Sequence, residues 1–281
     1  MQTGFQKAEG ADIYYEVRGE GPALLMISGA GGDAGFFDRA ADELADAFTV
    51  ITYDRRGNSR STGRTDQPMR MEQQADDAKA IVDGLAGGKA LVFGNSLGAL
   101  IALEVAARHP ETVTALMAHE PPAIRLLPDV GEHVAFFEAI HATYGSEGAE
   151  AAATAFASTF AGEGDYEWPE PLMERFMGNL DFLFQTEWNS ILAHRPQLAA
   201  LKSAPFPIVL AAGSASRGHY CARSAAVIAD ELGADWVEFP GIHLESVARP
   251  AAFAAGLRVL ATGLHVKATR SIPGQWSAMD A

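Results

Sequence analysis

Residues 91–100 read Leu91-Val92-Phe93-Gly94-Asn95-Ser96-Leu97-Gly98-Ala99-Leu100 and join an apolar strand, a Gly-x-Ser-x-Gly turn and the start of a helix. A serine on so tight a turn takes a strained backbone conformation, and only small neighbours let the strand and the helix approach closely. Gly94 and Gly98 are such neighbours. Since this strand-turn-helix context is the one that exposes a nucleophilic serine, we predict that Ser96 is a nucleophile. The alternative is a glycine-rich turn with an incidental serine.

Short apolar strands alternate with amphipathic helices on both sides of Ser96. Besides the strand that leads to Ser96, strands are predicted at residues 11–18, 23–27, 48–53 and 112–118. Helical periodicity covers residues 36–48, 71–85 and 97–109. This alternation is typical of the α/β class, with a mainly parallel sheet flanked by helices. Ligands bind such sheets at the carboxyl ends of the strands, where Ser96, Glu120 and the glycine-rich loop 28–33 are expected to lie.

The pattern changes between residues 121 and 204, where helical stripes occur without strands. We interpret this segment as an all-helical cap that is inserted after a strand of the main sheet and covers the active-site edge. Its aromatic side chains are expected to form the core of the cap rather than a wall of the substrate site. They include Phe136, Trp168, Phe182, Phe184 and Trp188.

The strand pattern resumes after residue 204. Strands are predicted at residues 207–212 and 235–239, and helices at residues 219–232 and 250–264. The predicted organisation is therefore a core formed by residues 1–120 and 205–264, a helical cap at 121–204 and an aperiodic C-terminal tail at 265–281.

Composition and charge exclude several classes of function. The chain has 281 residues, 48% hydrophobic and 20% charged, which is ordinary for a globular protein with a sizeable core. Its formal net charge of -15 argues against binding to nucleic acid or to an anionic membrane surface. A single cysteine, Cys221, excludes an internal disulfide framework and provides no metal-binding cluster.

The first residues and the hydropathy of the chain bear on its expected location. Its first residues lack a basic segment followed by an apolar run, so no secretory signal is expected. No apolar stretch reaches the roughly 18 residues that a membrane-spanning helix needs. We therefore predict a cytoplasmic protein whose partner is a small-molecule substrate, with a homodimer as a further possibility.

A serine hydroxyl is a weak nucleophile near neutral pH, so it needs a base within hydrogen-bond reach and donors for the oxyanion that forms on attack. Among the eight histidines, His243 is the best candidate for the base. It follows a predicted strand and the pair Pro240-Gly241, and a helix comes after it. In that position its ring can reach the sheet edge that carries Ser96.

These motifs resemble those of the α/β-hydrolase superfamily, with a match over residues 23–118 and 206–264. Residues 94–98 are similar to the family's nucleophile elbow, residues 54–61 to its Asp-x-Arg-Gly-x-Gly-x-Ser turn, and residues 241–243 to its late catalytic histidine. A serine at position 96 argues against the family members that use an aspartate nucleophile, the haloalkane dehalogenases and epoxide hydrolases.

The resemblance also implies roles for individual groups. It implies that the backbone N–H groups of Ala30 and Leu97 form an oxyanion hole, although Ser28-Gly29 stands where the family usually has His-Gly. It implies no metal and no organic cofactor. Within residues 54–61, Asp54 and the glycine are expected to shape the turn, and anion binding by the arginines is the alternative.

The sequence departs from the family at the catalytic acid. Residues 213–217, where the family usually has this acid, read Gly-Ser-Ala-Ser-Arg and contain no carboxylate. Glu120 lies directly after the preceding strand and could reach His243 across one intervening strand. The alternative is that Glu120 caps the start of the helical segment or pairs with an arginine.

The sequence thus predicts a serine hydrolase that cleaves an ester, thioester or lactone of a small, largely apolar molecule. Ser96 attacks, His243 transfers the proton, and Glu120 orients His243. Hydrolysis of a carbon–carbon bond is a variant of this prediction. Two alternatives stay open because the usual acid is missing: a non-hydrolytic relative, such as a cyclase or lyase that uses His243 for proton transfer, and a binding protein with a decayed site.

Overall fold

A computed structural model describes residues 1–158 and 166–270 of the chain. It contains one sheet of eight strands. The strands are β1 Gln2–Ala8, β2 Ala11–Arg18, β3 Ala23–Ile27, β4 Thr49–Tyr53, β5 Ala90–Asn95, β6 Val113–His119, β7 Ile208–Gly213 and β8 Asp235–Phe239. Their order across the sheet is β1-β2-β4-β3-β5-β6-β7-β8.

Six of these strands, β3 to β8, run parallel to one another. Strands β1 and β2 pair antiparallel with each other, and β2 pairs antiparallel with β4. The mainly parallel sheet predicted from the sequence is therefore confirmed. Strand β1 was not predicted, since its polar and glycine residues are mostly exposed and lack a buried face.

Helices cover both faces of the sheet. Their bounds are α1 Asp38–Leu44, α2 Met71–Leu85, α3 Leu97–Arg108, α4 Val130–Glu147, α5 Ala149–Ala157, α6 Glu170–Phe182, α7 Trp188–Ala193, α8 Leu198–Leu201, α9 Tyr220–Leu232, α10 Glu245–Ala248 and α11 Pro250–Arg270. None of the helices in the described ranges is long and apolar enough to cross a membrane.

Strand β3 shows how the buried strands face two cores. Leu25 and Ile27 pack into the core formed with α2, α3 and α9, whereas Leu24 and Met26 pack into the core formed with α1 and α11. Successive side chains of a strand point to opposite faces of the sheet, so a strand covered on both sides is apolar at every position.

The residues between β6 and β7, which carry helices α4 to α8, form what we call the helical insertion. It contains no strand in its described residues, which exclude 159–165. At the other end of the chain, α11 continues to Arg270, so the tail predicted to start at residue 265 begins inside a helix. Residues 271–281 of that predicted tail lie outside the described residues.

The turn between β5 and α3 depends on the absence of two side chains. A Cβ atom on Gly94 would overlap the carbonyl oxygen of Gly98, and one on Gly98 would overlap the carbonyl oxygen of Ile27. Backbone atoms of a buried strand cannot move aside cheaply, because protein interiors are close-packed. The two glycines therefore allow α3 to start directly against the sheet.

We predict that Gly98→Ala strongly destabilises the fold, by about 3 kcal/mol or more, because the new methyl group collides with backbone. Gly145→Ala is the matched control, since Gly145 lies in α4 and a Cβ atom there meets nothing within 4 Å. Alanine should stabilise that helix by about 0.5 to 1 kcal/mol. Urea unfolding of both variants measures the difference, and equal stability would contradict the packing argument.

Candidate active site

Ser96 lies at the turn between β5 and α3, at the carboxyl end of the sheet. Its backbone has φ 57° and ψ −126°, a conformation that non-glycine residues rarely adopt. The N–H group of Ser96 donates to the carbonyl of His119 at 2.9 Å, which ties the strained turn to the end of β6. Gly29 approaches so closely that a Cβ atom there would lie 2.8 Å from Cβ of Ser96.

The two backbone groups predicted to form the oxyanion hole lie next to Ser96. Leu97 is the first residue of α3, so its N–H group has no acceptor within the helix. Ala30 follows Gly29 in the loop after β3, and Ala30, Leu97 and Ser96 line one cavity. Among the described residues, no acceptor is found for the N–H group of Ala30 or of Leu97. Both donors are therefore available to a ligand oxygen.

Glu120 and His243 are in direct contact. Glu120 follows β6 with φ 51°, and its Oε2 atom contacts Nδ1 of His243 in a short hydrogen bond. Its Oε1 atom accepts a hydrogen bond of 2.8 Å from the N–H group of Gly213 at the end of β7. The carboxylate thus reaches across the intervening strand. Since no arginine of the described ranges pairs with Glu120, the alternative of an arginine partner is wrong.

The loop that carries His243 is held by its own hydrogen bonds. Gly241 has φ 100°, and the N–H group of Ile242 donates to Oε2 of Glu245 at 3.1 Å. At Gly213 a Cβ atom would lie 2.5 Å from the carbonyl oxygen of Gly241. The glycine at the end of β7 therefore lets the His243 loop lie close enough for the ring to meet Glu120.

Ser96 and His243 line the same cavity. Its empty volume is about 750 Å³, including its open mouth. The remaining lining is almost entirely apolar and comes from the core and the helical insertion. It includes Phe36, Phe156, Trp168, Phe176, Leu183 and Leu244. A smaller adjoining cavity of about 370 Å³ shares Ser96 with the first but does not reach His243.

These cavities correct part of the interpretation of the aromatic residues. Phe182 and Phe184 are buried and line neither cavity, as expected of the insertion's core, whereas Trp188 is buried but lines the smaller cavity. Trp168, however, lines the larger cavity, and Phe136 is 44% exposed. Helical spacing could not separate these cases, because a side chain that faces a cavity and one that faces a packed core occupy the same stripe.

The comparisons with known proteins agree with this architecture. A family model described as alpha/beta hydrolase fold matches residues 22–190. An uncharacterised hydrolase of Bacillus subtilis, YraK, is 36% identical over 250 residues, which is 86% of this chain and 90% of that protein. The chain belongs to the α/β hydrolase fold family.

Solved structures of this family superpose on most of the chain. An alpha/beta hydrolase from Sphaerobacter thermophilus is 28% identical, with a TM-score of 0.68 over 92% of this chain and 99% of that one. A thermophilic esterase from Thermogutta terrifontis has a TM-score of 0.73 at 19% identity, over 94% of this chain and 100% of that one. The second likeness concerns the fold alone.

The contact with His243 keeps the carboxyl group of Glu120 ionised. Burial by itself would raise the pKa of Glu120, but the charge of His243 and its hydrogen bond outweigh burial and lower the pKa to about 2. The N–H group of Gly213 adds to this effect. Glu120 is therefore a carboxylate near neutral pH and can stabilise a positively charged His243.

Asn95, directly before Ser96, forms a hydrogen bond with a buried histidine. Its Oδ1 atom lies 2.7 Å from Nδ1 of His119, a buried residue at the end of β6. Burial lowers the pKa of His119 to about 4, so this ring is neutral near pH 7 and donates to Asn95 from Nδ1. Asn95 therefore ties β5 to β6 beside Ser96.

The polar side chains of the turn at residues 54–61 form hydrogen bonds and ion pairs within the protein. Asp54 accepts hydrogen bonds from the N–H group of Ala34 at 2.8 Å and from Nε of Arg60 at 2.7 Å. Arg56 pairs with buried Asp77, and Arg55 pairs with buried Glu187. The arginines are thus occupied by carboxylates, which supports the turn-shaping interpretation. No cluster of three or more His, Cys, Asp or Glu residues that could hold a metal ion is found within residues 1–158 and 166–270.

We predict that Glu120→Gln removes a pH-dependent part of the stability. A carboxylate with a lowered pKa stabilises the folded protein above its unfolded pKa, about 4.5, and this contribution is lost as the pH falls through the folded value. The advantage of the unmodified protein over E120Q should shrink by about 2 to 3 kcal/mol between about pH 6 and pH 2. Urea unfolding across this range measures it.

Glu104→Gln is the matched control with the opposite sign. Glu104 is also buried, but burial raises the pKa of its carboxyl group. The unmodified protein should therefore gain stability relative to E104Q as the pH falls. Parallel pH curves for E120Q and the unmodified protein would contradict the ion pair between Glu120 and His243.

Proposed function

We propose that the protein is a serine hydrolase that cleaves an ester, thioester or lactone of a small, largely apolar molecule. The observation that carries the proposal is the buried contact between Glu120 and His243 beside the cavity that holds Ser96. Family membership and the hydrolase relative support a hydrolase. The arrangement of a nucleophile, a base and an ionised acid supports the serine mechanism.

In this mechanism, Ser96 Oγ attacks the carbonyl carbon while its proton passes to Nε2 of His243. The negative charge that develops on the carbonyl oxygen is held by the N–H groups of Ala30 and Leu97. The tetrahedral intermediate collapses to an acyl-serine, and His243 returns its proton to the leaving alcohol, thiol or hydroxyl group. Water, activated by His243, then releases the acid and restores Ser96.

Glu120 keeps the His243 ring in the orientation and tautomer that this cycle needs. Because Nδ1 donates to Glu120, Nε2 is the nitrogen that accepts the Ser96 proton. A pKa of about 2 means that Glu120 stays ionised while His243 carries its positive charge. Although residues 213–217 contain no carboxylate, Glu120 can serve as the acid, which supports the serine mechanism over the two alternative functions.

The cavities suggest how a substrate divides around Ser96. His243 must protonate the leaving group, so we assign the larger cavity, which His243 lines, to the leaving group. The smaller cavity, lined by Leu97, Trp188 and Ile191 but not by His243, then takes the acyl group. Its limited volume favours a short acyl chain, and the apolar walls favour an uncharged substrate.

The helical insertion supplies walls to both cavities, and we propose that it acts as a cap. Phe176 and Trp168 from the insertion close over the larger cavity, and Trp188 and Ile191 close over the smaller one. A cap of this kind excludes water from the acyl transfer step and selects substrates by shape.

The first test is covalent labelling. A fluorophosphonate should add one phosphonyl group to Ser96, displacing fluoride, and intact-mass measurement should detect it. Ser96→Ala and His243→Ala should both abolish labelling, since one lacks the nucleophile and the other the base. Hydrolysis of p-nitrophenyl acetate should fall by roughly 10³-fold or more in both variants.

Ser224→Ala is the matched control, because Ser224 is a buried serine of α9 that lines neither cavity. It should label and turn over like the unmodified protein. Unimpaired turnover of a substrate by Ser96→Ala would contradict the serine mechanism and favour proton transfer by His243 alone. Ligand binding without any turnover by the unmodified protein would favour a decayed site.

We predict that the two cavities control different parts of the substrate. Ile191→Ala enlarges the smaller cavity, so the acyl chain preferred among p-nitrophenyl esters should lengthen by about two methylene groups. Leu244→Ala enlarges only the larger cavity, so it should leave that preference unchanged and raise kcat/KM for acetates of bulkier alcohols. A chain-length shift in Leu244→Ala but not in Ile191→Ala would reverse the assignment.

A further inference from the structure

The loop after β3, residues 29–33, carries Ala30 and is held from outside the sheet by the helical insertion. Three polar side chains of the insertion bind this loop directly or through one other residue. They are Arg175, Asn179 and Glu187. None of them was singled out from the sequence, because each lies more than a hundred positions from the loop it holds.

Asn179 of α6 holds the middle of the loop. Its Nδ2 atom donates to the carbonyl of Gly31 at 2.8 Å, and its Oδ1 atom accepts from the N–H group of Ser59 at 2.8 Å. The side chain is buried, so these hydrogen bonds do not compete with bulk water. Asn179 therefore joins the loop to the turn after β4 at a fixed distance.

Arg175 holds the end of the loop. Its Nε and Nη2 atoms donate to Oδ2 and Oδ1 of Asp33 at 2.5 and 2.9 Å, a two-pronged ion pair. Asp33 is fully buried. Arg175 and Asn179 are four residues apart on α6, so they project from the same face of that helix. Between them, Phe176 packs where a side chain on Gly31 would lie.

Glu187 holds the start of the loop through Arg55. Its two carboxylate oxygens accept from Nη1 and Nη2 of Arg55 at 2.7 and 2.9 Å, and both side chains are fully buried. The Nη2 atom of Arg55 in turn donates to the carbonyl of Gly29 at 3.0 Å. This carbonyl belongs to the peptide bond whose N–H group is that of Ala30.

We propose that Arg175, Asn179 and Glu187 are positioning residues that set the oxyanion hole from the helical insertion. This inference rests on the proposed function, since it concerns the Ala30 donor. The peptide between Gly29 and Ala30 is bound at its oxygen by Arg55, and the loop beyond it is bound at Gly31 and Asp33. The core also holds this loop, since the N–H group of Gly32 donates to the carbonyl of Gly29 and that of Arg55 to the carbonyl of Gly32. The docked insertion adds the contacts that fix the direction of the N–H group of Ala30.

Oxyanion stabilisation requires donors that are already in position when the negative charge develops, and a misplacement of about 1 Å can cost about 100-fold in rate. A displacement of α6 would release Arg175 and Asn179 from the loop. The insertion thus acts on kcat through the oxyanion hole, in addition to lining the cavities.

Asn179→Asp tests the proposal with minimal change of shape. The aspartate keeps an oxygen that can accept from Ser59, but it replaces the donor to Gly31 by an oxygen that repels the Gly31 carbonyl. We expect kcat for p-nitrophenyl acetate to fall about 10- to 100-fold, while KM changes by less than about twofold. Arg175→Met, which releases Asp33, should give the same split and serves as the second variant if N179D does not fold.

Inhibition by a boronic acid distinguishes a role in the oxyanion hole from a purely structural role, because the inhibitor's affinity depends on the oxyanion donors. Ser96 Oγ adds to the trigonal boron of phenylboronic acid and passes its proton to His243, which leaves a negatively charged tetrahedral boron with an oxygen in the oxyanion hole. The inhibition constant should therefore rise in N179D by the same factor by which kcat falls. Arg64→Met is the matched control, since Arg64 donates to the carbonyls of Gly57 and Gly178 without touching the loop.

The outcomes separate the two proposals. R64M should retain both kcat and boronate affinity. If N179D and R175M are folded by circular dichroism and bind boronate as tightly as the unmodified protein, the positioning role is wrong and the serine mechanism stands. If the unmodified protein neither turns over esters nor binds boronate, the serine mechanism and the positioning role are both wrong.

Discussion

The contact between the carboxylate of Glu120 and the ring of His243 is the interaction that the proposed catalytic geometry requires. It forms across β7, with the second carboxylate oxygen bound to the end of that strand. The contact depends on the strand order, because Glu120 and His243 meet only if β6, β7 and β8 are neighbours in the sheet. Glu120, at the end of β6, thereby meets His243, which follows β8.

Several local constraints position this contact and Ser96. Ser96 and Glu120 both have positive φ, and each follows a buried strand at the carboxyl edge of the sheet. Gly98 and Gly213 remove side chains that would keep the neighbouring backbone away. The strain and the close approaches are tolerated because two packed cores hold the strands from both faces.

The part of the site that sequence could predict is the part encoded locally. Ser96 and His243 each lie between a predicted strand and a predicted helix. These flanking patterns were enough to place both residues at the carboxyl edge of the sheet. Whether Glu120 meets His243 or an arginine depended on side-chain geometry across β7, which no local pattern contains. The anchors at Arg175 and Asn179 could not be found either, since a polar residue on a helix looks the same whether it faces solvent or a distant loop. Trp168 and Trp188 were misassigned for a related reason, since helical periodicity does not distinguish a cavity wall from a core.

The most direct test of the central claim is proton NMR of the His243 ring. A ring N–H shared with a buried carboxylate should give a strongly downfield resonance at neutral pH. We expect this resonance in the unmodified protein and in Ser96→Ala, and we expect it to disappear in Glu120→Gln. A downfield resonance that survives in Glu120→Gln would mean that another group orients the ring, and would contradict the account.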